Sequence, residues 1–131
     1  MKPQTKRLYA WHEQTPIESR LLKSRTLHQL RARAKTIWRA VASEHDLVFP
    51  ETPRIEFRSI ATSWYETDQH LIAFAPRQRC DCILIHEMTH ALGYWEHDAR
   101  FARVNAELLV RFGRACPIYV AASLGAFGVQ V

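Results

Sequence analysis

Cys80-Asp81-Cys82-Ile83-Leu84-Ile85-His86-Glu87-Met88-Thr89-His90-Ala91-Leu92-Gly93-Tyr94-Trp95-Glu96-His97 is the stretch on which the reading of this chain turns. One helical turn takes about 3.6 residues, so His86 and His90, four apart, fall about 40° from each other on one face and can grip one ion. Glu87 sits beside them. Its carboxylate can reach a water held by that ion without touching the ion itself, the arrangement that metal-assisted hydrolysis requires. Ile83, Leu84 and Met88 give the helix an apolar side to bury. Gly93 ends it, since glycine takes the left-handed conformation that reverses a chain after a helix. Tyr94-Trp95-Glu96 can then carry His97 back toward the ion as a third ligand. Neutral imidazoles suit a borderline-soft ion with tetrahedral preference, so the expected cofactor is Zn2+.

The motif helix is expected from about Cys80 to Leu92. Before it, Arg54-Ile55-Glu56-Phe57-Arg58 alternates cleanly; Thr62-Ser63-Trp64-Tyr65-Glu66 and His70-Leu71-Ile72-Ala73-Phe74 flank a polar turn at Thr67-Asp68-Gln69. Together these predict a small antiparallel sheet with a hairpin. Further upstream, Leu27, Leu30, Ala34, Ile37, Trp38 and Val41 recur at helical spacing, predicting a long N-terminal amphipathic helix from Ile17 or Ser24 to Glu44. Leu8-Tyr9-Ala10-Trp11-His12 is expected as a short strand, with Pro16 breaking the chain before the helix. Downstream, Asp98 is a candidate cap for a helix that turns Phe101, Val104, Leu108 and Phe112 inward before Gly113. Pro117 can open a last helix through about Ala126, with a strand over 118–121 as the alternative. The expected fold class is α+β.

With 131 residues and 47% hydrophobic content, residues 1–131 form one domain with a single modest core. No segment approaches a membrane span, and the basic start Met1-Lys2-Pro3-Gln4-Thr5-Lys6-Arg7 leads into no apolar signal stretch, so the expected location is the cytoplasm, with no membrane partner. Cys80, Cys82 and Cys116 are odd in number and contain no Cys-x-x-Cys pair, so neither a disulfide framework nor a zinc ribbon follows; they read as free thiols. Lys and Arg total 18 against 13 acids, a formal charge of +5. That excess permits weak, salt-sensitive attraction to nucleic acid. Arg20, Lys23, Arg25, Arg31, Arg33, Lys35 and Arg39 carry much of it, and the solvated side of an amphipathic helix accounts for them better than a binding face.

Ser63-Trp64-Tyr65, the hairpin strand, Ile85 through Leu92, and His97-Asp98-Ala99-Arg100-Phe101 together resemble the SprT-like and related small zincin metallopeptidases. The match covers the central third of the chain; the flanking helices match in arrangement. The resemblance implies a minimal zincin-like domain in which His86, His90 and His97 bind zinc and Glu87 is the catalytic base. It also implies that the strand around Ile72 lines the substrate groove, with Phe101 as the aromatic that follows the third histidine. Members of the SprT type act on DNA-bound proteins, which extends the implied substrates to DNA-associated proteins. Asp98 stands where the family often has glycine, the His90-to-His97 loop is short, and no cysteine-rich ribbon follows. Zincins divide between those that close the site with a nearby histidine and those that use a glutamate from the next helix. Glu96 and Glu107 are therefore rivals to His97, and His97 offers the better ligand atom for zinc.

His12, His28, His45 and His70 are scattered and read as surface or hydrogen-bonded histidines. Tyr65, Tyr94 and Tyr119 could each offer a phenol to a tetrahedral intermediate; Arg77 and Arg79 could meet substrate carboxylates or solvent. Two functions follow. The leading one is a zinc-dependent peptidase acting on protein or peptide substrates with Glu87 as base. The alternative is a basic nucleic-acid or protein-binding module with a structural zinc, against which Glu87 argues, because a structural site gains nothing from a carboxylate at the water position. Oligomeric state is not legible.

Overall fold

The computed structural model describes residues 2–14 and 19–131. The expected break at Pro16 and the earlier expected helix start, Ile17, lie outside the described residues. The domain is α+β: helices α1 (Pro3–Gln14) and α2 (Leu27–Val41), strands β1 (Arg54–Phe57), β2 (Trp64–Glu66) and β3 (Leu71–Phe74), then helices α3 (Asp81–Ala91), α4 (Ala99–Arg111) and α5 (Pro117–Ala126).

α2 starts where Thr26 and Gln29 form a reciprocal capping box, each side chain accepting from the other residue's backbone N–H. Leu30, Ala34, Ile37, Trp38 and Val41 are buried, as the 3.6-residue stripe requires. The helix is shorter than expected. Ala42–Glu44 continues it only as a 3-10 turn.

The first expected strand is a correction, because Leu8 to His12 belongs to α1. Leu8, Ala10 and His12 fit a period of two, but Leu8 and Trp11, both buried, fit a helical i, i+3 pair, and burial decides between them. α1 packs on α5, where Trp11 Nε1 donates to Ser123 Oγ at 2.8 Å and Gln4 exchanges hydrogen bonds with the backbone of Gln130.

The sheet is mixed, another departure from the expected antiparallel one. Strand order is β1-β3-β2, with β2 antiparallel to β3 (Tyr65 opposite Ile72) and β1 parallel to β3 (Ile55 opposite Ile72). Alternation has the same period in both pairings, so it fixes which face is buried and not the partner's direction. All four residues of β3 are buried, as a strand flanked on both sides should be. β2 is an edge.

The last helices match the sequence. Asp98 caps α4 by accepting from Phe101 N at 3.0 Å, and Pro117 opens α5. Phe101, Val104 and Leu108 are buried while Phe112 is half-buried. No helix among the described residues is long and apolar enough to cross a membrane.

Candidate metal centre

α3 carries His86, Glu87 and His90 on the side that faces a cleft, anchored by Leu84, Ile85 and Met88, all buried; Ile83 is only half-buried. Gly93 has φ of +107°, outside the range of ordinary L-residues, and turns the chain out of the helix. Four residues later His97 returns. Its Nε2 lies 3.2 Å from Nε2 of His90 and 3.3 Å from Nε2 of His86. These three histidines are close enough to hold a metal ion.

Two of the three have their second nitrogen engaged. His90 Nδ1 lies 2.8 Å from the Tyr94 carbonyl, which can only accept, so the ring carries its proton there and leaves Nε2 bare. His86 Nδ1 lies 3.1 Å from Nε2 of His12 on α1. Phe101 packs beneath all three rings, 4.6 Å from His90 and 4.9 Å from the other two, centroid to centroid. This apolar floor keeps the rings neutral. Burial pulls His90 down to about 4 against the Tyr94 carbonyl, holds His86 well below its ordinary value and lowers His97. Neutral imidazoles with converging lone pairs fit a cation.

Glu87 is buried on the same wall, and its Oε2 has no hydrogen-bond partner. Burial raises its carboxyl to about 8, opposed by the backbone N–H of Tyr65. A buried carboxylate with one oxygen left unpartnered is costly, and a cation beside it removes the cost. The donor set and the orphaned oxygen therefore agree.

The cleft, about 290 Å³, is lined by these four residues together with Tyr9, Ser63, Trp64, Tyr65, Thr67 and Trp95. The strand along it is the edge strand β2. Ile72, expected to line the groove, is fully buried on β3, which lies between β1 and β2 and contributes no residue to the cleft lining.

Of the three tyrosines singled out in the sequence, Tyr65 lines the cleft with its hydroxyl engaged elsewhere, and Tyr94 and Tyr119 do not line it. Tyr65 OH lies 2.6 Å from His70 Nδ1, Tyr94 OH lies 2.8 Å from His45 Nδ1, and Tyr119 is exposed on α5. Tyr9, from α1, lines the same cleft. Its ring stacks on His86 (6.1 Å, 22°) and meets His97 edge-on at 5.3 Å. Burial raises its pKa, with Glu87 adding to the effect. Tyr9, which the sequence did not single out, and His12, hydrogen-bonded as read but not foreseen beside the cleft, are one helical turn apart, next to the buried Leu8–Trp11 pair. Reading that segment as a strand hid their shared face.

The rival ligands are elsewhere. Glu107 is exposed on α4, and Glu96 pairs with Lys2 at 3.3 Å, both side chains largely exposed. His28 is exposed, and His45 and His70 are hydrogen-bonded as read. Arg79 lies over the Phe57 ring at 3.9 Å, while Arg77 is exposed. Of the basic run, Arg25 and Arg33 reach Asp81 at 3.4 and 3.1 Å, and Arg31 donates to the Ile55 carbonyl. Lys23, Lys35 and Arg39 are exposed. Cys80 and Cys82 are buried thiols and Cys116 is an exposed one.

No protein-family model matches the chain, and no curated protein or solved structure matches it either.

Proposed function

We propose that this chain is a zinc-dependent peptidase of zincin type, with His86, His90 and His97 as zinc ligands and Glu87 as general base. The observation that carries the reading is the meeting of three Nε2 atoms, with His97 3.2 Å from His90 and 3.3 Å from His86, beside a buried carboxyl whose Oε2 has no partner, on one cleft wall. A tetrahedral zinc with Zn–N bonds of about 2.0–2.1 Å spaces its nitrogens by about 3.3–3.4 Å. The observed separations match. A purely structural site has no use for Glu87.

Zinc, when bound, supplies an acidified water and a polarised substrate carbonyl. Glu87 accepts the proton of the attacking water and returns it to the departing amine. Tyr9, whose ring lies against His86 and His97, donates to the oxygen on which negative charge gathers. The free edge of β2 offers backbone groups to an extended peptide, and Trp64 and Trp95 line the same cleft. The motif and its turn are also what support membership of the SprT-like group. DNA-associated proteins remain the proposed substrates, supported by the +5 charge and the exposed Lys23, Lys35 and Arg39. Three thiols outside any disulfide suit the reducing cytoplasm, where we place the protein.

The test is elemental analysis of protein never exposed to chelator, followed by hydrolysis of an unfolded protein such as casein by the parent and by Glu87→Gln. One zinc per chain is expected, with activity lost and zinc retained in the variant. Equal turnover by the two would rule out Glu87 as the base, and failure to take up zinc at neutral pH would end the reading.

A further inference from the structure

The motif supplies three ligands and a base, but α1 adds a fourth histidine. His12 Nε2 lies 3.1 Å from His86 Nδ1, with the rings 5.1 Å apart at 66°. A hydrogen bond between two neutral imidazoles admits two proton arrangements. If His12 donates, His86 carries its own proton on Nε2, the atom aimed at His90 and His97, and no lone pair is left for an ion. If His86 donates, its Nε2 is bare and His12 carries its proton on Nδ1.

That Nδ1 is buried and has no partner. Trp11 packs beside the ring at 4.8 Å. An orphaned buried donor is a cost that folded proteins avoid, and a leucine here would fill the space without it. What histidine offers at this position, and leucine does not, is an acceptor for His86. His90 obtains its acceptor from its own turn through Tyr94. His86 must obtain one from a remote element.

We propose that His12 is the positioning residue of the metal centre: by accepting from Nδ1–H of His86 it fixes that tautomer and aims Nε2 at the ion. The inference rests on the metal-centre reading and not on peptidase chemistry. Outer hydrogen-bond partners of this kind change metal affinity by about 10–100-fold when removed.

The experiment compares full-length parent, His12→Leu and His12→Gln. Zinc affinity is measured by competition with a chromophoric chelator, and the melting temperature is measured on the metal-free proteins. His12→Leu should bind zinc roughly 10–100-fold more weakly while its metal-free melting temperature stays close to the parent's, because it removes the orphaned His12 donor and leaves His86 Nδ1 without a partner in its place. His12→Gln, whose amide oxygen can stand in for Nε2, should recover most of the affinity. A structural role alone would move stability and affinity together. Long-range proton–nitrogen NMR of the zinc-loaded parent should place the protons of both His86 and His12 on Nδ1, a result independent of how the variants fold. Unchanged affinity in His12→Leu, no recovery in His12→Gln, or a His12 proton on Nε2 overturns the proposal. A parent that takes up no zinc removes the metal centre itself and this inference with it; a parent that binds equally with leucine removes the inference alone.

Discussion

His97 Nε2 lies 3.2 Å from His90 Nε2, although a helix end and a reversing turn separate the two residues. Glu107, the glutamate on the following helix, faces solvent instead. His97→Ala should therefore lower zinc affinity by orders of magnitude, and Glu107→Ala should change it little. Titration against a chelator of known affinity measures both, and the opposite order would move the third ligand to α4.

Much of this centre was legible because the motif is local. His86, Glu87 and His90 share one helical face, Gly93 dictates the turn, and Asp98 announces the next helix, so short-range rules reach His97. Tyr9 and His12 come from far upstream, and no periodicity links them to the motif. Their helix was also short enough for a strand to compete. β1 was placed correctly but with the wrong partner direction, since pairing depends on where β2 lies, on the far side of β3.

Tyr9→Phe removes the phenol from the cleft and keeps the ring stacked on His86. If Tyr9 stabilises developing charge, kcat should fall roughly 10²-fold with zinc affinity unchanged. Tyr94→Phe and Tyr119→Phe should stay near the parent, because their hydroxyls are bonded to His45 or turned to solvent. Steady-state kinetics on a fluorogenic peptide decides, and a Tyr9→Phe variant with parental kcat excludes the role.

His70 predicts an acid-sensitive fold. It is buried in the left-handed region (φ of 48°), its Nε2–H donates to the Glu51 carbonyl at 2.6 Å, and its Nδ1 accepts from Tyr65. Burial lowers its pKa below the ordinary 6.5 despite the opposing Glu51 carbonyl. The unfolded chain thus binds a proton that the folded one refuses, and stability falls as pH drops below about 6.5. His70→Asn, which tolerates the same backbone, should show a shallower loss between pH 7 and 5 in metal-free melting curves. Parallel curves for parent and variant would count against this.

Gly93 should be irreplaceable in a way that Gly125 is not. An added Cβ at Gly93 sits at φ +107° and 3.4 Å from the Asp46 carbonyl, whereas at Gly125 it meets nothing within 4 Å. Gly93→Ala is expected to cost roughly 1–3 kcal/mol and to weaken zinc binding by misplacing His97. Gly125→Ala, inside α5, should stabilise by roughly 0.5–1 kcal/mol. Denaturant unfolding of the two variants measures the contrast, and equal midpoints would show that the turn carries no strain.

α1 bears on timing as well as geometry. Its hydrogen bonds to α5 and the tail span 112 residues from Trp11 to Ser123 and 126 from Gln4 to Gln130. A ribosome releases α1 first, at about 5–20 residues per second, so this helix waits several seconds for the segment that holds it. By the end of that interval His86 to His97 have been made, while the wall carrying Tyr9 and His12 still lacks the segment that seats it. The cleft is therefore finished after its three converging histidines are made, and a half-synthesised chain cannot present the completed cleft to its neighbours.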